Sequence, residues 1–432
     1  CMCIGLSLFL LIASGFSQTK EITLEDIWQK YVFYPQGVPG FTPMPNGDYY
    51  SVQNKEEIAS YSFSTGEKQA DILTNYNLIL ASDNLIKLKD VDIYQLDNNE
   101  RYLLLGVDYE SIYRRSYKAF FYIYDLKEKK VFPLSDTTKG KQSFADFSPD
   151  GSKIAFVRDN NLFVKDLVSR QETAVTTDGK FNHILNGIAD WVYEEELDMA
   201  QAFTWSPDGK HLAYLRFDET RVKEFSMVMW GELYPESYRY KYPKAGEDNS
   251  LVDVFIYQVD NAQHTKVDMG DNSNSYIPRL YWLPNAAELV ILKMNRHQNK
   301  LEFFAYNLLT TTKSLIYTDE NSAWLDVTNE YHFLKDNNSM IVTSERNGYN
   351  HIYKVTFGGK PTPLTSGSWE VAQVCAVDES NEYIYYLSNE SHALQRDLYR
   401  INFKGKNKKM LSNGKGWNSP TFNPTATYYS NM

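Results

Sequence analysis

The hydrophobic pattern along this chain consists mainly of short alternating segments that recur at a regular interval. Residues 147–156 read Phe-Ser-Pro-Asp-Gly-Ser-Lys-Ile-Ala-Phe, and residues 205–214 read Trp-Ser-Pro-Asp-Gly-Lys-His-Leu-Ala-Tyr. In both units a turn with Pro at its second position and Asp-Gly at its end precedes residues that alternate between apolar and polar. The pattern predicts a tight turn followed by a β-strand.

Weaker copies of this unit begin near residues 43, 96, 282, 334, 377 and 422, and further strand-like segments separate them. A period of roughly 40–60 residues with about four strands is typical of a β-propeller blade. A β-sandwich has no such repeat, and a helical solenoid needs a helical periodicity that the chain lacks. We therefore predict an all-β fold, an eight-bladed β-propeller over residues 38–432. Its last blade would be truncated, because a single strand follows Phe422.

Two segments interrupt the repeat. Residues 182–203 predict a short helical insertion between two strands of one blade, and residues 227–249 form a second insertion rich in aromatic and basic side chains. Insertions on a rigid repeat scaffold are frequent sites of function. The second insertion is interpreted either as a contact arm or as an ordinary surface hairpin.

The first residues predict export. The apolar run over residues 4–16 ends in small residues, which is typical of a secretory signal peptide over residues 1–17. A lead-in segment, residues 18–37, would follow it. No membrane span is predicted in the mature chain, since the run is too short to cross a bilayer comfortably. A periplasmic or secreted protein is expected, with an uncleaved N-terminal anchor as the alternative. The chain opens on Cys1 without a positive segment, so we expect its true start to lie upstream.

Composition excludes several classes of protein. The chain has 432 residues, a formal net charge of −11 and 15% aromatic residues. That much aromatic surface requires a packed core, and the acidic balance argues against a nucleic acid partner, which needs clustered Lys and Arg. Beyond the predicted signal peptide Cys375 is the one remaining cysteine, so internal disulfides are not expected.

The sequence lacks the common catalytic signatures. There is no Gly-x-Ser-x-Gly nucleophile motif, no P-loop and no dinucleotide fingerprint. The seven histidines do not have the spacing of metal ligands. We therefore assign no catalytic residue, no metal site and no cofactor to this chain.

The most distinctive segment is residues 186–196, which read Asn-Gly-Ile-Ala-Asp-Trp-Val-Tyr-Glu-Glu-Glu. An acidic run alone usually indicates a solvated face. With residues 113–117, 242–246, 347–351 and 367–371, however, this string resembles the N-terminal propeller of the dipeptidyl peptidase IV family. These proteins are exported serine exopeptidases of the prolyl oligopeptidase superfamily. The resemblance covers nearly the whole chain after the predicted signal peptide.

The resemblance implies a binding site for a peptide with a free N-terminus. Glu195 and Glu196 would bind the α-ammonium, Arg114 would support the substrate carbonyl and both glutamates, and Glu194 would face elsewhere. An ammonium has three donors and no acceptor, so two carboxylates can satisfy it with charge-assisted hydrogen bonds. Their distance from the nucleophile would be fixed, so that two substrate residues fit between the bound amine and the scissile bond. This implies a dipeptide product.

The resemblance also implies what the rest of the protein does. It implies a serine dipeptidyl aminopeptidase that releases Xaa-Pro or Xaa-Ala dipeptides, with its Ser/Asp/His triad in an α/β-hydrolase domain past Met432. This chain alone would then be an inactive fragment. Residues 234–246 resemble the family's dimer-contact arm, so a homodimer is expected. The family's substrate-side Phe-Arg pair is replaced here by Asp326-Val327. A related prolyl tripeptidyl peptidase and a non-catalytic periplasmic propeller that binds peptides or proteins are the alternatives.

Overall fold

The structure is a computed structural model that describes residues 21–34, 41–74, 76–80, 85–88, 90–231, 233–413 and 416–431. The chain divides into two compact units, Cys1–Pro39 and Gly40–Met432. In the first unit, helix α1 (Leu24–Trp28) begins where the side chain of Thr23 accepts a hydrogen bond from the main-chain N–H of Asp26. The predicted signal peptide lies outside the described residues. Across the described ranges, no helix is long and apolar enough to cross a membrane.

The second unit consists of antiparallel sheets that follow one another along the chain. The first sheet contains β1 (Thr42–Pro43), β2 (Tyr49–Gln53), β3 (Glu57–Ser62) and β4 (Lys68–Thr74). The second contains β5 (Asn77–Leu80), β6 (Leu85–Lys87), β7 (Val91–Leu96), β8 (Tyr102–Ser111), β9 (Tyr117–Asp125) and β10 (Lys130–Pro133). A 3₁₀ turn (Thr137–Lys139) leads to the third, with β11 (Ser143–Phe147), β12 (Lys153–Arg158), β13 (Asn161–Asp166) and β14 (Glu172–Ala174).

The fourth sheet carries both insertions. It contains β15 (Ile184–Asn186), β16 (Phe203–Trp205), β17 (His211–Asp218), β20 (Leu251–Gln258) and β21 (Gln263–Val267). Helix α2 (Trp191–Leu197) lies between its first two strands. A separate two-stranded hairpin, β18 (Glu224–Met229) and β19 (Glu236–Lys241), lies between β17 and β20.

The remaining sheets return to the simple pattern. The fifth contains β22 (Ser275–Trp282), β23 (Glu288–Asn295), β24 (Lys300–Asn307) and β25 (Thr312–Glu320). The sixth contains β26 (His332–Phe333), β27 (Ser339–Ser344), β28 (His351–Thr356) and β29 (Thr362–Pro363). The seventh contains β30 (Val371–Asp378), β31 (Tyr383–Ser388), β32 (Asp397–Asn402) and β33 (Lys409–Met410), and a last pair follows as β34 (Pro420–Phe422) and β35 (Tyr429–Asn431).

The all-β propeller predicted from the repeat is confirmed, but the blade count differs from the prediction. In the part of the chain that the structure describes, seven sheets have four or more strands, and the eighth copy of the repeat forms a two-stranded sheet. The second sheet also differs from the predicted four strands per blade, because it has six. Its two additional strands, the β5–β6 hairpin, join the sheet beside β10 through a parallel pairing of β10 with β5. The structure is thus a seven-bladed β-propeller followed by a two-stranded sheet, and the eight-bladed, truncated form stays a prediction.

The repeated turns fold as the sequence predicts. In the turn that begins at Ser148, the hydroxyl donates to Asp150 at 2.6 Å and the N–H of Gly151 donates to the Ser148 carbonyl at 2.8 Å. Gly151 has φ +70°, which only glycine adopts without strain. The turn that begins at Ser206 repeats these contacts with Asp208 and Gly209.

These turns also join neighbouring blades at one rim. The N–H of Asn46 donates to Glu100, and the side-chain amide of Asn99 donates to the carbonyl of Asp150, at 3.1 and 2.8 Å. The later turns make similar hydrogen bonds. The main-chain N–H of Asn285 donates to the side chain of Asn337, and that of Lys335 donates to the side chain of Glu379. The side chain of Asn423 then donates to the carbonyl of Gly47 at 2.6 Å, so the last hairpin contacts the first blade. We call these contacts the rim contacts.

Helix α2 lies where one strand of the fourth blade is split. β15 pairs with Arg216–Asp218 of β17, and β16 pairs with Leu212–Tyr214 of the same strand. Both segments therefore occupy the position of a single edge strand, and residues 187–202 leave that edge and return to it. The helical insertion predicted between two blade strands is confirmed, and its two anchors fix the position of the acidic run.

Candidate functional site

The acidic run forms a short helix because both of its ends are capped. At the start, the Asp190 carboxylate accepts hydrogen bonds from the Tyr193 N–H at 2.9 Å and from the Ser250 hydroxyl at 2.5 Å. Burial raises the pKa of Asp190. At the end, Asp198 adopts the left-handed conformation with φ 52°, and its N–H donates back to Tyr193. A seven-residue helix is marginal by itself, so these caps and its packing hold it in place.

Tyr193 ties the helix to the fifth blade. Its side chain is fully buried, with its ring edge-on to Phe217 at 4.9 Å and to Tyr276 at 6.0 Å. Strand β22 has a register shift between Tyr276 and Arg279, and the N–H of Ile277 donates to the Tyr193 hydroxyl at 2.8 Å. Tyr193 therefore satisfies a main-chain donor that the bulge removes from the ladder.

Glu194 ties the helix to the second blade. Its side chain is fully buried, and one carboxylate oxygen accepts from the main-chain N–H groups of Arg115 and Ser116 at 2.6 and 2.8 Å. The guanidinium of Arg115 donates in return to the Glu194 carbonyl at 2.9 Å and pairs with Asp198. The loop that carries Arg114 and the helix that carries Glu195 thus hold each other through four contacts.

These four contacts bring together two of the predicted site residues. The Nε of Arg114 donates to Glu195 Oε2 at 2.8 Å, although the two residues lie 81 positions apart. The side chain of Glu195 is 16% exposed and that of Arg114 is 69% exposed. The ion pair is therefore recessed on its acidic side and open on its basic side.

Glu196, the third predicted site residue, directly follows Glu195 in the helix, and its carboxylate takes no part in this ion pair. It is exposed, and its carboxylate has no hydrogen bond or ion pair to any other described residue. Successive helix positions differ by about 100°, so Glu195 and Glu196 present their carboxylates on adjoining faces. One Arg and two Glu side chains leave a net charge of −1. Such a group can accept a cation with several donors.

Sequence reasoning missed Arg279, which holds the other end of the helix. One of its nitrogens, Nη1, donates to the carbonyls of Leu197 and Pro278 at 2.6 Å each, and Nε donates to Asn329 at 2.6 Å. The residue is 6% exposed, and burial lowers its pKa. A cation is favourable at the C-terminal end of a helix. Pro278 was the available signal, since Pro inside a strand often marks a bulge.

The second insertion presents a large apolar surface. The β18–β19 hairpin and its turn expose Met227, Val228, Met229, Trp230, Leu233 and Tyr234. Its base is held by aromatic contacts, with Trp191 of α2 against Tyr242 at 4.2 Å. The hairpin is therefore fixed to the site helix at one end and apolar at the other.

The structure gives no metal centre to consider. Among the residues it describes, no three His, Cys, Asp or Glu side chains are grouped as metal ligands. Cys375 is free. His351 has both ring nitrogens in hydrogen bonds, to Thr365 and to the Gly367 carbonyl.

Comparisons with known proteins give matches that cover most of the chain. Residues 97–432 match the family model described as the dipeptidyl peptidase IV (DPP IV) N-terminal region. A probable dipeptidyl peptidase 4 of Aspergillus fumigatus is 31% identical over 78% of this chain and 46% of its own length. The dipeptidyl peptidase 4 of Trichophyton rubrum is 27% identical over 93% of this chain and 54% of its own length. The chain therefore spans about half the length of these relatives.

Solved structures agree with this match. The crystal structure of Porphyromonas gingivalis dipeptidyl peptidase 4 is similar with a TM-score of 0.88 and 35% identity. That likeness covers 95% of this chain and 58% of the other. A putative dipeptidyl aminopeptidase IV from Bacteroides ovatus is similar in fold, with a TM-score of 0.71, 21% identity and coverage of 92% and 56%.

Proposed function

The chain belongs to the dipeptidyl peptidase IV family, and we propose that it is the substrate-gating and amine-anchoring propeller of an exported serine dipeptidyl aminopeptidase. In this proposal the remaining part of the protein supplies an α/β-hydrolase domain with a Ser/Asp/His triad. The full-length enzyme releases Xaa-Pro or Xaa-Ala dipeptides from peptides with a free N-terminus. The propeller binds the substrate amine and the hydrolase domain carries out acyl transfer.

The observation that carries the proposal is the Arg114–Glu195 ion pair beside the unpaired Glu196. Two carboxylates about 4 Å apart repel each other by about 4 kcal/mol at an effective dielectric near 20. Arg114 offsets part of this repulsion in the empty site, and an arriving ammonium offsets more. A blocked, uncharged N-terminus brings no such compensation. The arrangement therefore favours a free amine.

Rigidity of the anchor supports the dipeptidyl product. Helix α2 is held at Asp190, Tyr193, Glu194 and Leu197 by hydrogen bonds from main-chain and side-chain donors of the second, fourth and fifth blades. A fixed amine site sets a constant distance to a nucleophile on another domain. Productive geometry tolerates little displacement, so this distance selects the scissile bond.

Three chromogenic substrates test the function on the full-length protein. We expect Ala-Pro-p-nitroanilide to be cleaved well and its N-acetyl derivative to lose at least about 100-fold in kcat/KM, since a charge-assisted contact is lost. Ala-Ala-Pro-p-nitroanilide, which has a free amine one residue further away, distinguishes the tripeptidyl alternative. The Asp326-Val327 departure keeps that alternative open. Equal cleavage of the free and acetylated substrates would refute the amine anchor.

We propose further that the hairpin makes the enzyme a homodimer. Monomers rarely expose a contiguous apolar patch of this kind, and such patches commonly bind a partner. On the hairpin, Trp230 is 78% exposed and Leu233 is 90% exposed. Both residues lie in the turn between β18 and β19. A second copy of the chain could place its own hairpin against this turn, which would give an isologous contact.

Trp230→Glu is expected to convert the full-length dimer to a monomer in sedimentation velocity at micromolar concentration. Aromatic side chains are common hot spots of such interfaces, with an effect of about 2 kcal/mol or more on association. Leu309→Glu is the matched control, because Leu309 is 91% exposed and lies in the turn after β24. A wild-type protein that sediments as a monomer would remove the dimer proposal.

A further inference from the structure

A cavity lies next to the N-terminal end of α2. Its volume is about 510 Å³, and its walls come from the second, third and fourth blades and from the base of the β18–β19 hairpin. Asp190 and Trp191 line it, whereas Arg114, Glu195 and Glu196 do not. The volume falls within the range of pockets that bind small organic ligands. This cavity is therefore separate from the amine anchor.

Glu219 is the residue in this cavity that the fold leaves unused. It is 5% exposed and lines the cavity, yet its carboxyl takes part in no hydrogen bond with the other described residues. The charged groups around it are Asp190 and Asp218, which disfavour its ionisation, and Lys241, which favours it. Lys241 is engaged elsewhere, since its ammonium donates to the Val222 carbonyl at 2.7 Å.

The three cationic side chains of the cavity already have partners. Lys118 pairs with Glu110 at 2.8 Å, and Lys141 pairs with Asp108 at 3.1 Å. Arg158 pairs with Glu172 at 2.8 Å. These cations are neutralised, and the cavity's other carboxylate without a partner, Asp159, is exposed to solvent. Glu219 is therefore the buried charged group that remains to recognise a ligand.

Aromatic rings form much of the wall near Glu219. Tyr113, Trp191 and Tyr238 line the cavity, with Ile188 and Leu185 as apolar neighbours. Tyr113 and Trp191 are fixed from behind by Tyr240 at 5.9 Å and Tyr242 at 4.2 Å. Such a wall suits a flat apolar group and adds attraction for a cation near the ring faces.

We propose that this cavity is a binding site for a small aromatic amine. The ammonium contacts Glu219, and the ring lies among Tyr113, Trp191 and Tyr238. A charge-assisted hydrogen bond from the ligand satisfies the carboxyl that the fold leaves without a donor. This inference does not depend on the peptidase proposal, because it uses none of the anchor residues.

Proton release provides a distinctive signature. Burial, followed by repulsion from Asp190, raises the pKa of Glu219 to about 8. At pH 7 the group is therefore mostly protonated, and a bound ammonium favours its ionised form. Binding then releases nearly one proton per amine, whereas an uncharged ligand releases none.

Calorimetry on the full-length protein with 2-phenylethylamine tests the site. We expect one proton-releasing amine site per chain, whose binding enthalpy at pH 7 changes with the ionisation enthalpy of the buffer. Glu219→Gln should weaken binding about 10-fold or more and abolish the proton release. Gln resembles the protonated acid in shape and charge, so the fold should be preserved. Tyr238→Ala, at a partly exposed position of the wall, should weaken binding several-fold without reaching the core.

Two controls separate this site from the amine anchor. Glu195→Gln should leave the proton-releasing binding of 2-phenylethylamine unchanged, because Glu195 does not line the cavity. The uncharged analogue 2-phenylethanol should bind at least about 10-fold more weakly than the amine. Proton-releasing binding that survives in Glu219→Gln, or that is lost in Glu195→Gln, would overturn the proposal, as would the absence of such binding at millimolar concentration.

Discussion

Replacing Glu195 or Glu196 with Ala in the full-length protein is expected to lower kcat/KM for free-amine Xaa-Pro substrates by about 30- to 5,000-fold. This corresponds to ~2–5 kcal/mol, the usual cost of removing one partner of a hydrogen-bonded charge pair that is buried in the substrate complex. Glu195→Ala should have the larger effect, since it also leaves Arg114 without its partner. An unpaired guanidinium would repel the incoming ammonium.

Steady-state kinetics with free and N-acetylated substrates measure this effect. The variants should lose activity on the free amine and keep the wild-type kcat/KM on the acetylated substrate. The ratio of kcat/KM for the free substrate to that for the acetylated substrate should therefore fall. Glu345→Ala is the control, since Glu345 is exposed in the turn between β27 and β28. If both variants cleave Ala-Pro-p-nitroanilide like the parent, Glu195 and Glu196 do not bind the amine.

Tyr193→Ala is expected to have the largest effect on stability of any single change in the site helix. Truncating a fully buried aromatic side chain costs about 3–5 kcal/mol, and the N–H of Ile277 would lose its acceptor at an added cost of about 1–3 kcal/mol. Tyr193→Phe keeps the ring, so it should cost only the second amount.

Chemical denaturation followed by tryptophan fluorescence gives the free energies of unfolding. Tyr349→Ala, at an exposed tyrosine in the turn before β28, is the matched control and should change stability little. A loss below about 1 kcal/mol for Tyr193→Ala would mean that the bulge and helix do not depend on this side chain.

Local features of the fold were predictable because short sequences determine them. The Ser-Pro-Asp-Gly turns at Ser148 and Ser206 need only a hydroxyl, a carboxylate and a glycine within four positions. The alternation that follows them predicts the strands. The helical insertion was also predicted within residues 182–203, and the structure narrows it to Trp191–Leu197 behind the N-cap Asp190.

Features that depend on distant pairing were not predictable from the sequence. The β5–β6 hairpin joins the second blade through a parallel contact with β10, more than 40 residues later, and no local pattern encodes it. Arg279 was missed because the bulge at Ile277 and Pro278 changes which face of β22 its side chain occupies.

Within the site, the resemblance indicated which residues to examine, but the sequence did not indicate how they are held. Arg114 and Glu195 come from different blades, and their contact depends on Glu194 binding the main chain at Arg115 and Ser116. A run of three glutamates does not reveal which one is buried. The structure distinguishes a structural Glu194 from a recessed Glu195 and an exposed Glu196.

The rim contacts also determine the order in which the ring can assemble. Those between successive blades join residues 44 to 54 positions apart, whereas the contact of Asn423 with Gly47 spans 376 positions. Closing the longer loop costs about 1.8 kcal/mol more chain entropy than closing one of about 50 residues. Each blade can therefore dock on the preceding one as it leaves the ribosome, and the seam between first blade and last hairpin forms at the end.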